Sequence, residues 1–200
     1  MVNPIEFYFD FSSPYGYLAA MKIGKLAARY GRKVTWRPFL LGAVFKITGS
    51  GPLPSLPLKG SYAIRDMPRT ARFLGIPMNF PNPFPIATQA PARALYAIEQ
   101  TEPEKVESAV AALYRAYFVD NRDISSAEVT ADVLASAGFD RNQILAAVAD
   151  PGIKERLRQE TQAAIDRGVF GSPFVFVDGE PFWGTDRFDQ IERWLRDGAF

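Results

Sequence analysis

The sequence predicts an α/β protein in which a βαβ unit at the start of the chain and a ββα unit at its end enclose a long helical segment. Three observations carry that expectation. Residues 5–11 alternate apolar and polar side chains with the period of a strand and run straight into a Ser-Pro helix start. Residues 91–168 read as successive helices whose starts and stops can be named. Near the C-terminus, Asp178-Gly179 separates two short apolar runs, a strong hairpin signal.

Taken in order, Ile5, Phe7, Phe9 and Phe11 fall on one face of the first strand, with Glu6, Tyr8 and Asp10 on the other. The pattern breaks at Ser13-Pro14. A hydroxyl at the N-cap accepts bonds from free amides, and a proline at the first helical position loses no hydrogen bond. Ser13 is therefore expected at the mouth of a strand-to-helix turn, where unpaired N–H groups and the positive end of the helix dipole favour an anion. The helix is expected over 14–30, with Ala19, Ile23, Leu26, Ala27 and Tyr30 on one face and Gly31 as its stop. A second strand follows over 34–40. Tight connections make this a right-handed unit with its two strands as parallel neighbours.

Between 42 and 91 Gly and Pro punctuate the chain, including Thr-Gly-Ser-Gly-Pro at 48–52 and Phe-Pro-Asn-Pro-Phe-Pro at 80–85. The backbone there is expected to be irregular, with a helix only over 61–74 that Pro68 kinks or divides. Such connections are commonly binding loops, although a well-packed surface arm fits the same composition. Capping boxes are read at Thr101 with Glu104 and at Ser125 with Glu128, and a looser one at Asp140 with Gln143. Val106, Val110, Leu113 and Tyr117 share a face of one helix, and Val129 and Val133 of the next. Asp150 and Pro151 open another, with Ile153 and Leu157 inward and Gly168 ending it. Strands over 174–178 and 181–183 precede a last helix that begins near Asp186 and turns Phe188, Ile191 and Leu195 inward. This order is the thioredoxin arrangement, an α/β thioredoxin-like fold with an all-helical domain inserted in the middle. Its first half is placed at 1–41, the inserted irregular and helical domain at 42–150, and the second half at 151–200.

Composition narrows the chemistry. Two hundred residues suffice for a domain with a proper core, and a net charge of +1 with both signs interspersed argues against nucleic acid or an acidic membrane as partner. A small molecule is expected instead. The chain has no Cys and no His, which removes disulfide chemistry, a Ser-His-Asp triad, a Cys-His dyad and a histidine or thiolate zinc site. Carboxylate spacing of the EF-hand kind is also missing, so no metal is expected. Because no unperturbed side chain here titrates near neutrality, an enzyme of this composition works through a perturbed Lys, Asp or Glu or through a bound cofactor. Residues 1–15 lack the basic start and apolar core of a signal peptide, and no apolar run reaches membrane-spanning length, so the expected location is the cytoplasm.

Three motifs carry a resemblance: Phe-Asp-Phe-Ser-Ser-Pro-Tyr-Gly-Tyr at 9–17, Phe-Gly-Ser-Pro-Phe-Val-Phe-Val at 170–177 and Trp-Gly-Thr-Asp-Arg at 183–187. In this order and spacing they resemble the 2-hydroxychromene-2-carboxylate isomerases, which belong with the kappa-class glutathione transferases in the DsbA-like branch of thioredoxin folds. The resemblance spans nearly the whole chain and implies glutathione as cofactor. It implies that Ser13 stands where disulfide oxidoreductases hold their reactive cysteine, and that its hydroxyl donates to the glutathione sulfur. Hydroxyl and amide donors at a helix N-terminus do lower a thiol pKa; the residues alone also leave open that Ser13 is only a cap. Ser172-Pro173 matches the proline that is cis in these folds, with the Ser172 backbone pairing with the cysteinyl unit. Thr185, Asp186 and Arg187 match the seat of the γ-glutamyl end, though a capped helix with a local ion pair explains Asp186 as well. Lys59 resembles a lysine that contacts the glycyl carboxylate, and Ser50 stands where relatives often carry Asn in a Thr-Gly-Asn loop. Ala87 is a second departure, since relatives often place Asn there.

The implied activity is glutathione-dependent interconversion of 2-hydroxychromene-2-carboxylate and trans-o-hydroxybenzylidenepyruvate, a step of aromatic degradation as in naphthalene catabolism. A thiolate makes a conjugated double bond temporarily single by adding to it, and then leaves unchanged. Lys46 or an arginine is expected to hold the carboxylate of the small aromatic substrate, and Phe11, Tyr15, Phe45, Phe84 and Trp183 to wall its ring. Two alternatives stand beside this one: a kappa-type glutathione transferase that releases a conjugate, and a noncatalytic thioredoxin-like binding module. Relatives suggest a homodimer.

Overall fold

Alternation at the start of the chain produces strand β1 (Ile5–Phe9), and Ser13-Pro14 produces helix α1 (Pro14–Arg29), which returns the chain to β2 (Val34–Pro38). The computed structural model describes residues 3–200, so Met1 and Val2 of the segment 1–41 lie outside it. β1 and β2 pair in parallel, with Ile5 opposite Val34 and Phe9 opposite Pro38. Near the other end, β3 (Phe174–Val177) and β4 (Glu180–Trp183) form the expected hairpin. Its turn residues Asp178 and Gly179 both have positive φ, 54° and 92°, the backbone that a two-residue turn of the I′ kind requires. β3 pairs antiparallel with β1, which closes a four-stranded sheet of order β2-β1-β3-β4.

Both faces of β1 are covered. Ile5, Phe7, Phe9 and Phe11 join a core that continues through α1 into α4 (Gln89–Thr101), α5 (Val106–Phe118), α6 (Ala127–Ser136) and α7 (Arg141–Ala149). Rings dominate the junction: Phe9 lies edge-on to Phe11 at 5.2 Å, Phe11 meets Tyr114 at 5.0 Å, and Tyr17 stacks on Phe118 at 5.2 Å. On the opposite face Tyr8, Phe174 and Phe176 pack with Phe39, Val44, Ala164 and Val169. There the Arg167 guanidinium, paired with Glu6, lies 3.8 Å from the Phe176 ring centre. Helix α8 (Pro151–Asp166) carries Ile153 and Leu157 against Ala92 and Tyr96 of α4, and α9 (Phe188–Asp197) buries Phe188 and Ile191 with Leu195 half-buried beside them. Among the described residues no helix is long and apolar enough to cross a membrane.

Several local expectations are corrected. The segment after β2 is not irregular at once but forms α2 (Leu41–Thr48), a short helix whose N-cap residue Leu40 supplies no side-chain bond, stopped at Gly49 with φ 67°. α3 begins earlier than expected and runs unbroken over Lys59–Leu74 through Pro68. Pro68 deprives only the Ile64 carbonyl of its donor, and Ile64 is half exposed, so the loss falls on a solvent-facing residue and not on the buried face. Thr101 caps nothing: its hydroxyl donates to the Ala97 carbonyl within α4, and Pro103 starts a 3₁₀ turn (Pro103–Lys105) that leads into α5. The cap of α6 is Ser126, not Ser125, whose N–H is taken by the Asp123 carboxylate at 3.0 Å. Asp140 and Asp150 cap α7 and α8 as expected. The last helix is preceded by a 3₁₀ turn over Thr185–Arg187.

Two glycines of α1 test this packing in opposite directions. A Cβ on Gly16 would lie 2.8 Å from both Ser172 Oγ and Tyr114 Oη and 3.0 Å from Ser13 Cβ, groups held by their own hydrogen bonds. A Cβ on Gly24 would meet only the carboxylate of Glu107, the free end of an exposed side chain that swings away. Gly16→Ala is expected to cost about 1–3 kcal/mol through overpacking. Gly24→Ala is expected to be neutral or to stabilise by up to about 1 kcal/mol through helix propensity. Urea unfolding of the two variants reads both values, and equal destabilisation would contradict the difference.

Candidate active site

Ser13 sits where β1 hands over to α1. Its backbone is extended (φ −87°, ψ 116°), its Oγ accepts the Gly16 N–H at 3.0 Å, and its residue is only 6% exposed. The hydroxyl has one proton, and it goes to the Ser172 carbonyl at 2.8 Å. The Ser172–Pro173 peptide is cis, which matches the expectation, and Ser172 Oγ in turn accepts the Asp10 N–H at 3.0 Å. Thus the cap of α1 and the turn before β3 are laced together by two reciprocal bonds. The Ser172 N–H itself meets no protein acceptor among the described residues.

Asp10 is the residue that sequence reasoning missed. Its side chain is buried, one oxygen accepting the Ser12 N–H at 2.7 Å and the other the Leu41 N–H at 2.8 Å and the Thr88 hydroxyl at 3.2 Å. Its carbonyl accepts the Tyr114 hydroxyl at 2.9 Å. Burial pushes the Asp10 carboxyl above the usual carboxylate range, and the bonds from Ser12, Leu41 and Thr88 offset only part of this. One signal was present: a carboxylate flanked by two phenylalanines at the end of an apolar strand, where an outward residue would have been free to face water.

Around this node opens a cavity of about 1150 Å³. Ser13 and Tyr15 of α1 line it, facing Ser172 and Pro173. Thr185, Asp186 and Arg187 form its wall at the 3₁₀ turn, where Asp186 and Arg187 pair at 3.2 Å. Phe45 and Lys46 reach it from α2, Ser50 and Lys59 from the segment leading into α3, and Phe84 from the proline-rich loop. Trp183 stands at its edge, its ring edge-on to Phe170 at 4.9 Å. Ala87 also borders it, without a polar group. Phe11 is the exception and a correction: with no exposed surface, wedged between Phe9 and Tyr114, it belongs to the core and walls no pocket. Its neighbour Ser12 faces the cavity instead, because the chain turns at Asp10 and strand alternation ends there. Asp66, on α3, is a further lining residue without a sequence signal, since one acidic residue on an exposed helix face is unremarkable.

A cavity that gathers a capped helix N-terminus, a cis-proline turn and a second helix entrance on one thioredoxin-type sheet defines a member of that fold class. The chain matches the DSBA-like thioredoxin domain family over residues 4–196 and belongs to it. Within that family it belongs with the 2-hydroxychromene-2-carboxylate isomerases: the enzyme of that name from Sphingobium xenophagum is 34% identical, over 98% of this chain and 100% of the other. Glutathione S-transferase kappa 1 of Homo sapiens is 28% identical over 96% of this chain and 92% of its own. A solved structure of 2-hydroxychromene-2-carboxylate isomerase superposes with a TM-score of 0.84 at 29% identity, covering 98% of this chain and 99% of that one.

The raised Asp10 pKa has a sign that can be measured. A carboxyl that binds its proton more tightly when folded than when unfolded stabilises the fold fully below the unfolded value, about 3.9, and loses that contribution as pH rises through the higher native value. Asp10→Asn has no such titration. The stability of the wild type relative to Asp10→Asn is therefore expected to fall as pH rises through the native pKa and then to level off. Urea unfolding of both proteins between about pH 3 and pH 8 checks the trend, and a difference that rises with pH would reverse the assignment.

Proposed function

We propose that the protein is a glutathione-dependent isomerase that interconverts 2-hydroxychromene-2-carboxylate and trans-o-hydroxybenzylidenepyruvate. The observation that carries this reading is the Ser13 hydroxyl, fixed at the N-terminus of α1 and facing a cis Ser172–Pro173 turn, in a chain without cysteine or histidine. The residues fit the cofactor. Ser172 offers an N–H without a protein acceptor, Lys59 a cation for the glycyl carboxylate, and the turn Thr185–Arg187 a carboxylate and amides for the γ-glutamyl end, with Ser50 beside them. Bound glutathione supplies a thiolate that adds reversibly to an electrophilic carbon and so frees a conjugated double bond to rotate.

The chain's own contribution is electrostatic. By turning its proton from the Ser172 carbonyl toward the sulfur, Ser13 donates to the charged form of the thiol while the Gly16 N–H still polarises its oxygen. The dipole of α1 favours the same charge. Lys46 holds the substrate carboxylate, and Tyr15, Phe45, Phe84 and Trp183 wall the aromatic ring and limit its access to water.

Ser13→Ala is expected to lower kcat/KM on the order of a hundredfold, the usual consequence of losing one transition-state donor. Full activity after exhaustive removal of thiols would reject the proposal. The kinship with kappa transferases motivates one competing outcome. Turnover that exceeds the glutathione supplied identifies an isomerase, whereas glutathione consumed one for one with substrate identifies a transferase.

A further inference from the structure

We infer that Tyr15 and Asp66 form a hydroxyl-accepting subsite that selects aromatic carboxylates bearing a ring hydroxyl and fixes which way round they lie. The inference rests on the isomerase reading for its substrate, but its geometry is independent of the thiol. Tyr15 is the second residue of α1, two positions beyond Ser13, and shares the cavity with Asp66 of α3. Its hydroxyl lies 2.6 Å from Asp66 Oδ2. An ionised carboxylate only accepts, so the phenolic proton points at Asp66 and away from any ligand.

The surrounding groups hold this polarity. Asp66 Oδ1 accepts from Arg69, whose guanidinium also reaches the Tyr62 hydroxyl at 3.0 Å, and Thr70 lies 3.4 Å from Asp66 Oδ2. Burial and then the Asp66 bond push the Tyr15 phenol far above its ordinary value. Burial alone would raise Asp66, but bonds from Tyr15 and Arg69 outweigh it and hold the carboxyl below its usual value. Across the neutral range the pair is therefore a phenol giving its proton to a carboxylate. What remains to Tyr15 is its oxygen lone pairs, which no described residue fills, made richer by the charged acceptor on the other side.

Such a group accepts and does not donate. A carboxylate or ketone oxygen placed there finds no proton. A neutral hydroxyl fits. Lys46, on α2, supplies positive charge to the same cavity, with Phe45 and Phe84 as apolar wall. The substrate is thereby oriented with its carboxylate toward α2 and its ring hydroxyl toward the junction of α1 and α3. Of the proposed pair, the open form carries both groups, a pyruvate carboxylate at one end and a phenol on the ring.

Binding of 2-hydroxycinnamate and cinnamate, measured by calorimetry without glutathione at neutral pH, separates this subsite from the isomerase reading. The wild type is expected to hold the hydroxylated acid about tenfold more tightly, the size of one net hydrogen bond. Tyr15→Phe, which keeps the ring and removes only the hydroxyl, should bring the two acids to parity. Asp66→Asn, whose amide no longer enforces the direction of the Tyr15 proton, should reduce the preference to within about threefold. Unchanged melting temperatures establish that both variants are folded, and a Tyr15→Phe protein that melts early is replaced in the comparison by Asp66→Asn. Equal binding of the two acids by the wild type overturns the inference, as does a preference that survives both substitutions. If the preference behaves as expected while no thiol-dependent turnover is found, the isomerase reading fails and the subsite stands.

Discussion

The buried carboxylate of Asp10 is the contact on which the site depends. It lies in the floor of the cavity with no cation bonded to it among the described residues, and burial alone would make its charge costly. Donors from three places satisfy it: its own turn at Ser12, the first residue of α2 at Leu41, and the loop before α4 at Thr88. Its backbone is held as well, by Ser172 Oγ on the N–H and by Tyr114 on the carbonyl. Four segments distant in sequence are thus referred to one residue, and Ser13 follows three positions later. Removing any one donor leaves a charged oxygen short of a partner, which is the expensive direction for a buried hydrogen bond.

What was legible in the sequence was what neighbouring residues decide among themselves. Ser13-Pro14 starts a helix because the hydroxyl and the ring act within one turn, and Asp178-Gly179 makes the hairpin because both residues tolerate positive φ. Ser13, Ser172 and Asp186, which line the cavity, were named through the quoted motifs, whereas Asp66 lies outside them and was not named. Competition between equivalent local signals was not legible. Ser125 and Ser126 are both serines ahead of Glu128, and only the capture of the Ser125 N–H by Asp123 decides between them. Likewise Thr101 matched a capping pattern, but Pro103 had already fixed how the chain enters α5.

Longer-range terms account for the remaining differences. α2 carries Phe45 and Lys46 into the cavity, yet its sequence lies amid glycines and prolines, and its first N–H is satisfied by Asp10, 31 positions away. Phe11 had the composition of a pocket wall and the period of a core residue, and the period was the better guide. β1 is an interior strand with both faces covered, so Phe11 continues the buried row of Phe7 and Phe9 after the strand itself has ended.

The bond from Ser13 to the Ser172 carbonyl also bears on the kind of thiol this site suits. A hydroxyl with one proton cannot serve the carbonyl and a sulfur together. When the proton turns to a thiolate, the Ser172 carbonyl loses its donor, and in this half-buried place it then needs another. A simple thiol brings nothing to repair that loss. A peptide thiol brings an amide N–H for the carbonyl and an amide C=O for the Ser172 N–H that lacks an acceptor, so the exchange leaves every group paired. On the proposed reading, selectivity for a cysteinyl peptide arises from the same two atoms of Ser172 that hold Ser13 in place beforehand.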